Sequence, residues 1–271
     1  MQGIHRLGPQ DRAAVEALCS TSPAYDLFLL ANLNQLSRTG DLVEYWGQRD
    51  DAGRLAGVLM RYNTLWYFHD EEGVDLAAFA RVIEDFRQPR LVVNENSRRG
   101  RLLHPLLQGY SPVLQLPGRL RLLPADRSAE LPPVAVENAR VRLAGVGDVD
   151  RLSDFYAGAP ADVRRGPDSV RRSIGGGRRT YLVEDGQGAS TAAALTTAEL
   201  AHLAMAGGLH ASAEGARLGH LTAALGVLAS ALAAEGKDTC IVVRDPQVAE
   251  VCDKLGFLNA GPWDMVHLTR D

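Results

Sequence analysis

Gly207-Gly-Leu-His-Ala-Ser-Ala-Glu-Gly-Ala-Arg-Leu-Gly-His-Leu-Thr-Ala-Ala-Leu225 reads as the end of a strand, a glycine-bearing turn and the start of a helix. Beyond Gly219, the residues Leu221, Leu225, Leu228 and Leu232 recur at i, i+4, i+7 and i+11 with alanines between them. That spacing predicts one face of a helix of about four turns, closed by Gly236 as a C-cap. A strand that feeds straight into a helix leaves the backbone N–H groups of residues 216–221 without helical partners, and such a start attracts anions. Thr239-Cys-Ile-Val-Val243 follows as a buried strand by its β-branched run. Arg244-Asp-Pro246 then caps a second helix over 247–255, which ends at Gly256-Phe257.

The chain around this stretch has 271 residues, 46% hydrophobic, 23% charged and 6% aromatic, enough core material for one large domain or two ordinary ones. A net charge of -4 argues against nucleic acid as a partner, since polyanion binding needs a basic surface. Arginine pairs such as Arg98-Arg99, Arg164-Arg165 and Arg171-Arg172 read as solvated faces rather than a binding stripe. The three cysteines, Cys19, Cys240 and Cys252, have no CxxC spacing, so neither a disulfide framework nor a metal site is expected, and a reducing cytoplasm fits. Met1-Gln-Gly-Ile-His-Arg-Leu7 lacks an apolar signal-peptide core, and no stretch has the ~18 unbroken apolar residues of a membrane helix. A cytoplasmic protein with no membrane partner is the expectation.

Two segments share a pattern. Ile4-His-Arg-Leu-Gly-Pro-Gln-Asp-Arg-Ala-Ala-Val-Glu-Ala-Leu18 aligns without gaps against Val141-Arg-Leu-Ala-Gly-Val-Gly-Asp-Val-Asp-Arg-Leu-Ser-Asp-Phe155. Each runs from a short apolar strand to a glycine (Gly8, Gly145) and then an aspartate (Asp11, Asp148) placed to stabilise a helix start. A second amphipathic segment follows in each half, over 24–36 and 168–174. Strands are then predicted over 43–48 and 55–68 in the first half, and over 181–184, 191–197 and 202–211 in the second. Asp185-Gly-Gln-Gly188 supplies a hairpin turn. The proline- and glycine-rich 117–133 marks a boundary. The reading is a tandem duplication, with domains over 1–120 and 139–271 and a connecting segment over 121–138.

Gly207-Gly-Leu-His-Ala211, Gly219, the alanine-rich helix, the following strand, Asp245-Pro246 and a helix closing in Lys254-Leu-Gly-Phe257 together resemble the Gcn5-related N-acetyltransferase (GNAT) superfamily. The resemblance covers 141–271 well and the first half in outline. The whole is similar to the tandem form of the glycine N-acyltransferase-like group, with a degenerate first domain. It implies an α/β fold with mixed sheets, acyl-CoA (most simply acetyl-CoA) as cofactor, and a small-molecule amine as acceptor. In that family the loop before the long helix reads Arg/Gln-x-x-Gly-x-Gly/Ala, and its amides hold the pyrophosphate. Mapped here it is Ala216, Arg217, Leu218, Gly219, His220 and Leu221. Gly219 is kept, Ala216 replaces the leading basic residue, and Leu221 replaces a small one. Arg217 is either a compensating charge or an ordinary solvent-facing arginine. The family's preceding strand splays from its neighbour and pairs with the pantetheine arm, which assigns Leu209, His210 and Ala211 to the cofactor.

Acyl transfer needs the amine deprotonated and a proton delivered to the leaving thiolate. The resemblance puts the acid at Cys252, where the family commonly has a tyrosine; a small buried apolar role is the commoner fate of a lone cysteine. The base is expected on the strand before the cradle, where His202 and His210 are the titratable residues and Glu199 stands just ahead. Tyr156 and Tyr181 are further candidates. In the first half no cradle is legible; its matching place is read as 90–100, and Trp66-Tyr-Phe-His69 as a core strand. The leading expectation is an acyl-CoA-dependent N-acyltransferase. The second is a GNAT-fold protein that binds CoA or another ligand as sensor or scaffold. Aminoacyl transfer from a tRNA is disfavoured by the charge balance.

Overall fold

The structure is a computed structural model describing residues 3–37, 42–95, 102–131, 136, 138–160, 163–217 and 219–271, with Ser37 and Arg217 described by their backbone alone. The chain divides into two compact units, Met1–Arg119 with Gly261–Asp271, and Leu120–Ala260. The first unit contains β1 (His5–Arg6), α1 (Arg12–Cys19), α2 (Leu27–Ala31), β2 (Val43–Arg49), β3 (Leu55–Tyr62), β4 (Leu65–Asp70), α3 (Leu76–Asp85), β5 (Arg90–Glu95) and β6 (Tyr110–Leu116). Next come β7 (Arg119–Leu123) and α4 (Ala125–Ala129). The order of the first unit then repeats as β8 (Ala139–Leu143), α5 (Val149–Ala157), α6 (Pro167–Gly175), β9 (Thr180–Asp185), β10 (Ser190–Glu199) and β11 (Leu203–Ala211). α7 (Ala213–Arg217), α8 (His220–Ala233), β12 (Asp238–Val243), α9 (Pro246–Lys254), β13 (Leu258–Pro262) and β14 (Asp264–Arg270) complete the chain.

The described strands form two seven-stranded mixed sheets, ordered β1-β2-β3-β4-β5-β14-β6 and β13-β7-β12-β11-β10-β9-β8. The two orders are the same with the repeats superimposed, except that the strand beside the edge is exchanged. β7 follows β6 in sequence but enters the second sheet, and β14 follows β13 but enters the first. β14 runs antiparallel to β5 from Asp264↔Glu95 to Thr269↔Arg90, burying Val266 and Leu268 in the first unit's core. The stretch 121–138, expected as a connecting segment, therefore carries most of β7 and all of α4, and the C-terminal strand lies in the first unit. A strand satisfies its backbone groups against any open sheet edge, so its sheet need not be that of its sequence neighbour.

The duplicated opening has a physical role. In each half the aspartate closes one 3-10 turn and folds back to accept the glycine amide, Gly8 N–H to Asp11 at 2.9 Å and Gly145 N–H to Asp148 at 2.8 Å. An arginine then pairs with it, Arg49 with Asp11 and Arg142 with Asp148, at 2.6 Å each. In the second half this grows into a network with the buried Glu184, which also receives Arg140 at 2.7 Å and Arg151 at 2.5 Å. Arg142 chiefly, against the cost of burial, holds the Glu184 carboxyl down at about 2. A carboxyl depressed on folding contributes stability above its unfolded value, and that contribution is lost as pH falls through its folded value. The loss is therefore expected between about pH 4.5 and about pH 2. Glu184→Gln is expected to cost about 2 kcal/mol at pH 7 and to flatten this acid limb, as urea unfolding followed by circular dichroism at pH 7 and pH 3 would show. A variant with the acid limb of the parent would rule out Glu184 as its source.

The second unit's core is built on α8. Leu221, Ala223, Ala224, Leu225, Leu228, Ala229 and Leu232 are all buried. They meet Val183, Ala192, Ala194, Ala204, Ala206, Ile241 and Val243 from the sheet and Val251 and Cys252 from α9. Alanines on both surfaces let helix and sheet approach closely, which fixes where the helix start falls relative to the end of β11. Asp245 caps α9 by accepting the Gln247 amide at 2.7 Å, as Arg244-Asp-Pro246 implies.

Candidate functional site

β11 pairs in parallel with β12 from Leu203↔Asp238 to Ala206↔Ile241 and no further. β11 continues to Ala211 and β12 to Val243, so the last five residues of β11 present a backbone edge that β12 does not cover. On its other side β11 stays paired with β10, but its register shifts between Leu195↔Gly207 and Ala193↔His210. One residue of β10, Ala194, thus stands opposite two of β11, a bulge at Gly208-Leu209. Gly208 has φ +57, and a Cβ there would meet Leu195 at 2.8 Å, so only glycine fits without strain. The bulge also changes the alternation. Ala204 and Ala206 face α8, and three residues on so does Leu209, leaving His210 on the opposite face beside Phe155 at 4.8 Å.

Between β11 and α8 the expected open loop is helical, since 213–217 forms α7. Gly215 seats that turn against β10; a Cβ there would lie 2.2 Å from the Thr191 carbonyl oxygen. Ala216 is half-buried in α7, Arg217 ends it, and Leu218 lies outside the described residues. Gly219 is the N-cap of α8 at φ +73, with open space around the position a Cβ would take. The first hydrogen bond into the helix is Ala223 N–H to the Gly219 carbonyl, so the preceding amides of the first turn have no partner within α8. His220, the first helical residue, points inward. It is 1% exposed, and its Nδ1 lies 2.7 Å from Thr191 Oγ1. Leu221 is buried in the α8 core. Of the amides expected to be free over 216–221, that of Ala216 is taken by the Ser212 carbonyl at 2.8 Å and that of Gly219 by the Ala216 carbonyl at 3.2 Å, so the cradle is the first-turn backbone of α8 that follows Gly219, while the His220 and Leu221 side chains anchor it from below.

On the other face of the bulge, α5 contributes Tyr156, whose hydroxyl donates to the Gly208 carbonyl at 2.7 Å. Burial pushes this phenol up and keeps it a donor. Its ring lies 6.2 Å from that of His210. Burial pulls His210 below the ordinary histidine range, which leaves the imidazole neutral at pH 7 and able to accept a proton. Arg165, set aside in the sequence as half of a solvated pair, joins them. Its Nε is buried, without a hydrogen-bond partner among the described residues, and lies 3.2 Å from where a Cβ on Gly208 would be. Nothing local marks it out from Arg164, because its burial comes from the packing around Tyr156 and Gly208. Arg98-Arg99 lies outside the described residues.

The remaining candidates lie elsewhere. Cys252 is fully buried among Val251, Leu255 and the α8 leucines, and desolvation pushes its thiol up to about 12. That corrects its reading as a proton donor: it is a core residue. Glu199 is held by Arg179 at 3.0 Å and Lys237 at 2.9 Å. His202 is exposed just ahead of β11, and Tyr181 packs against the α8 core. In the first unit the helix start matching α8 is that of α3, preceded by Asp70-Glu-Glu-Gly-Val-Asp75, and not the 90–100 stretch, of which 96–100 lie outside the described residues. Asp75 accepts the Ala78 amide at 2.9 Å, so this helix start is closed by its own carboxylate and ringed by more. Beside the Tyr67↔Asn94 pair of β4 and β5, a ring cluster of Tyr25, Phe28, Tyr67 and Trp263 is packed, with Phe28 and Tyr67 centroids 5.0 Å apart.

No family model matches the chain, and no curated protein matches it. Among solved structures, a tandem GNAT protein from the clavulanic acid biosynthesis pathway is similar over 97% of both chains, at 16% identity and a TM-score of 0.63. A GCN5-related N-acetyltransferase from Sphaerobacter thermophilus is similar over 99% of this chain and 96% of its own, at 14% identity and a TM-score of 0.69. A Drosophila protein is similar over 98% of both chains, at 10% identity and a TM-score of 0.74. Likeness at such identities is likeness of fold, and it extends through both repeats. Among the described residues no helix is long and apolar enough to cross a membrane. The chain has the tandem fold of the Gcn5-related N-acetyltransferases.

Proposed function

We propose that the second unit is an acyl-CoA-dependent N-acyltransferase acting on a small-molecule amine, most simply with acetyl-CoA. The observation that carries this reading is the uncovered edge of β11 at residues 207–211, bulged at Gly208 and running into a glycine-started helix. An extended pantetheine arm carries amides that can add to an open strand edge, and a pyrophosphate suits a helix start whose first-turn amides have no partner within the helix. Open space at Gly219 fits that group, whereas a side chain would fill it. Bound acyl-CoA supplies the thioester that the amine attacks. The first-turn amides of α8 hold the phosphates in the space that Gly219 leaves open, and the bulge of β11 directs backbone at the acyl carbonyl. His210, neutral at pH 7 and half-buried on the α5 face, takes the ammonium proton, and the proton that the nitrogen sheds after attack goes to the departing CoA thiolate, which leaves as free thiol. Tyr156 fixes the bulge through the Gly208 carbonyl and so positions both.

A second reading, a chain that binds acyl-CoA without turning it over, is favoured by Cys252, which is buried where the family commonly has a tyrosine acid. Calorimetry with acetyl-CoA and longer acyl-CoAs tests the site itself, and release of free thiol with a panel of amines separates the two readings. Both expect binding, with a thermal shift that grows as RT ln(1 + [L]/Kd). Absence of binding by every acyl-CoA at millimolar concentration would defeat both.

A further inference from the structure

Thr191, on β10, touches both ends of the turn that joins β11 to α8. Its carbonyl accepts the Ser212 amide at 2.9 Å, where the chain leaves β11. Ser212 in turn organises α7, accepting the Gly215 amide on its hydroxyl at 3.0 Å and the Ala216 amide on its carbonyl at 2.8 Å. Gly215 lies against the same Thr191 carbonyl, so no side chain comes between that turn and the strand. The Thr191 hydroxyl holds the other end. It donates to the Val183 carbonyl at 3.2 Å, which leaves its oxygen to accept from His220 Nδ1 at 2.7 Å. Thr191 and His220 are both buried. With the proton on Nδ1, Nε2 is a bare nitrogen, closed from solvent and without a hydrogen-bond partner among the described residues. One polar contact therefore holds the ring, and that contact is Thr191. His220 is the first residue of α8, so the direction of the first-turn amides depends on where its side chain is held. Ala216 has no charge where the similar family has a basic side chain, which leaves more of the phosphate binding to those amides. Amides act together on an anion only when they are aimed at one point.

We propose that Thr191 is a positioning residue for the phosphates of the acyl donor: through His220 it aims the first-turn amides of α8, and so makes the site select CoA thioesters over thioesters that lack the pyrophosphate. This rests on the acyl-CoA reading of the α8 start.

Thr191→Val keeps the shape and the backbone carbonyl and removes the hydroxyl. Calorimetry on the full chain is expected to show CoA bound about 10-fold more weakly, the value of a misdirected contact to a charged group, and Thr191→Ser should return the affinity to within about twofold of the parent. In thiol release with one amine, the loss should fall on KM for acetyl-CoA with kcat retained. For S-acetylpantetheine, which has no pyrophosphate, kcat/KM should stay within about twofold of the parent. His220→Leu should repeat the Thr191→Val result, and it carries the same test if Thr191→Val does not fold. The double variant should lose no more affinity than either single one, since both break one contact. An equal loss with the two donors would mean that Thr191 only supports the fold, and the role is overturned. Unchanged CoA affinity in a folded Thr191→Val overturns it as well, and acyl transfer stands in both cases. If no amine is acylated, but CoA binding falls as described while millimolar pantetheine binds parent and variant alike, acyl transfer fails and the role of Thr191 stands. A parent that binds no CoA overturns both.

Discussion

Gly219→Asp is expected to weaken acyl-CoA binding by about 100-fold or more while leaving the fold in place. The residue caps α8 at φ +73 with nothing within 4 Å of the position its Cβ would take, so a side chain has room. Aspartate is among the few residues that enter the left-handed region readily, and the conformational cost is about 1 kcal/mol. A carboxylate there faces the same first-turn amides that a pyrophosphate would use. Two like charges about 5 Å apart at an effective dielectric near 20 repel by about 3 kcal/mol, which is the hundredfold loss. Gly219→Asn has nearly the same shape without the charge and is expected to lose only about tenfold. Calorimetry with acetyl-CoA reads both variants, and unchanged far-ultraviolet circular dichroism checks the fold. Wild-type affinity in Gly219→Asp would mean that the start of α8 is not the phosphate site.

Features written in consecutive residues were legible before any coordinates. The leucine stripe gives α8 as His220–Ala233, the Asp-Pro cap gives α9, and the Gly-x-x-Asp pair gives the matching openings of both repeats. Features set by pairing across the chain were not. The sequence after Phe257 contains no information about which sheet edge receives it, and β14 joins the first unit. Residues 55–68 read as one strand because the turn between β3 and β4 is short, and its only sign is Asn63, at φ 54. Losing that one turn shifted the count of strands in the first half, which is why its helix start was sought near 90–100 instead of at Asp70–Asp75. The glycines at 207 and 208 announce an irregularity, yet the bulge is defined by Ala194 on another strand. For Cys252 the sequence offered both a proton donor and a small buried residue, and only the packing around α8 decides for burial, which belongs to the tertiary structure.

The duplication explains why one unit is assigned a cofactor and the other is not. Both have a parallel strand pair at the same place in the sheet and a helix beginning after the fourth strand of the repeat. In the first unit that helix start follows Asp70-Glu-Glu and is capped by Asp75, and rings pack beside the parallel pair at Tyr67. Negative charge at the one place and filled volume at the other each oppose a phosphate-bearing, extended ligand. In the second unit the same two places have Gly219 and an uncovered strand edge.

His210→Gln is expected to lower kcat/KM about 10²- to 10⁴-fold at pH 7 with an amine of high pKa, the range typical of losing a general base, while leaving acetyl-CoA affinity near that of the parent. The side chain faces Phe155 and Tyr156 on the acceptor side of the bulge, and the backbone that would meet the cofactor is retained in the variant. The pH dependence fixes the assignment. Burial lowers the His210 pKa, so its neutral form, the one able to accept a proton, persists below the ordinary histidine value. In the parent, kcat/KM should therefore fall on acidification with a midpoint below about 6.5, and that limb should be absent from the variant. An amine whose own pKa lies below the assay pH arrives already deprotonated, so the deficit of His210→Gln should shrink toward unity across a series of such amines. A merely structural histidine would give a loss independent of amine pKa and an unaltered pH limb. Either of those results would move the base elsewhere, with bulk water as the remaining acceptor and the bulge backbone as the main source of rate.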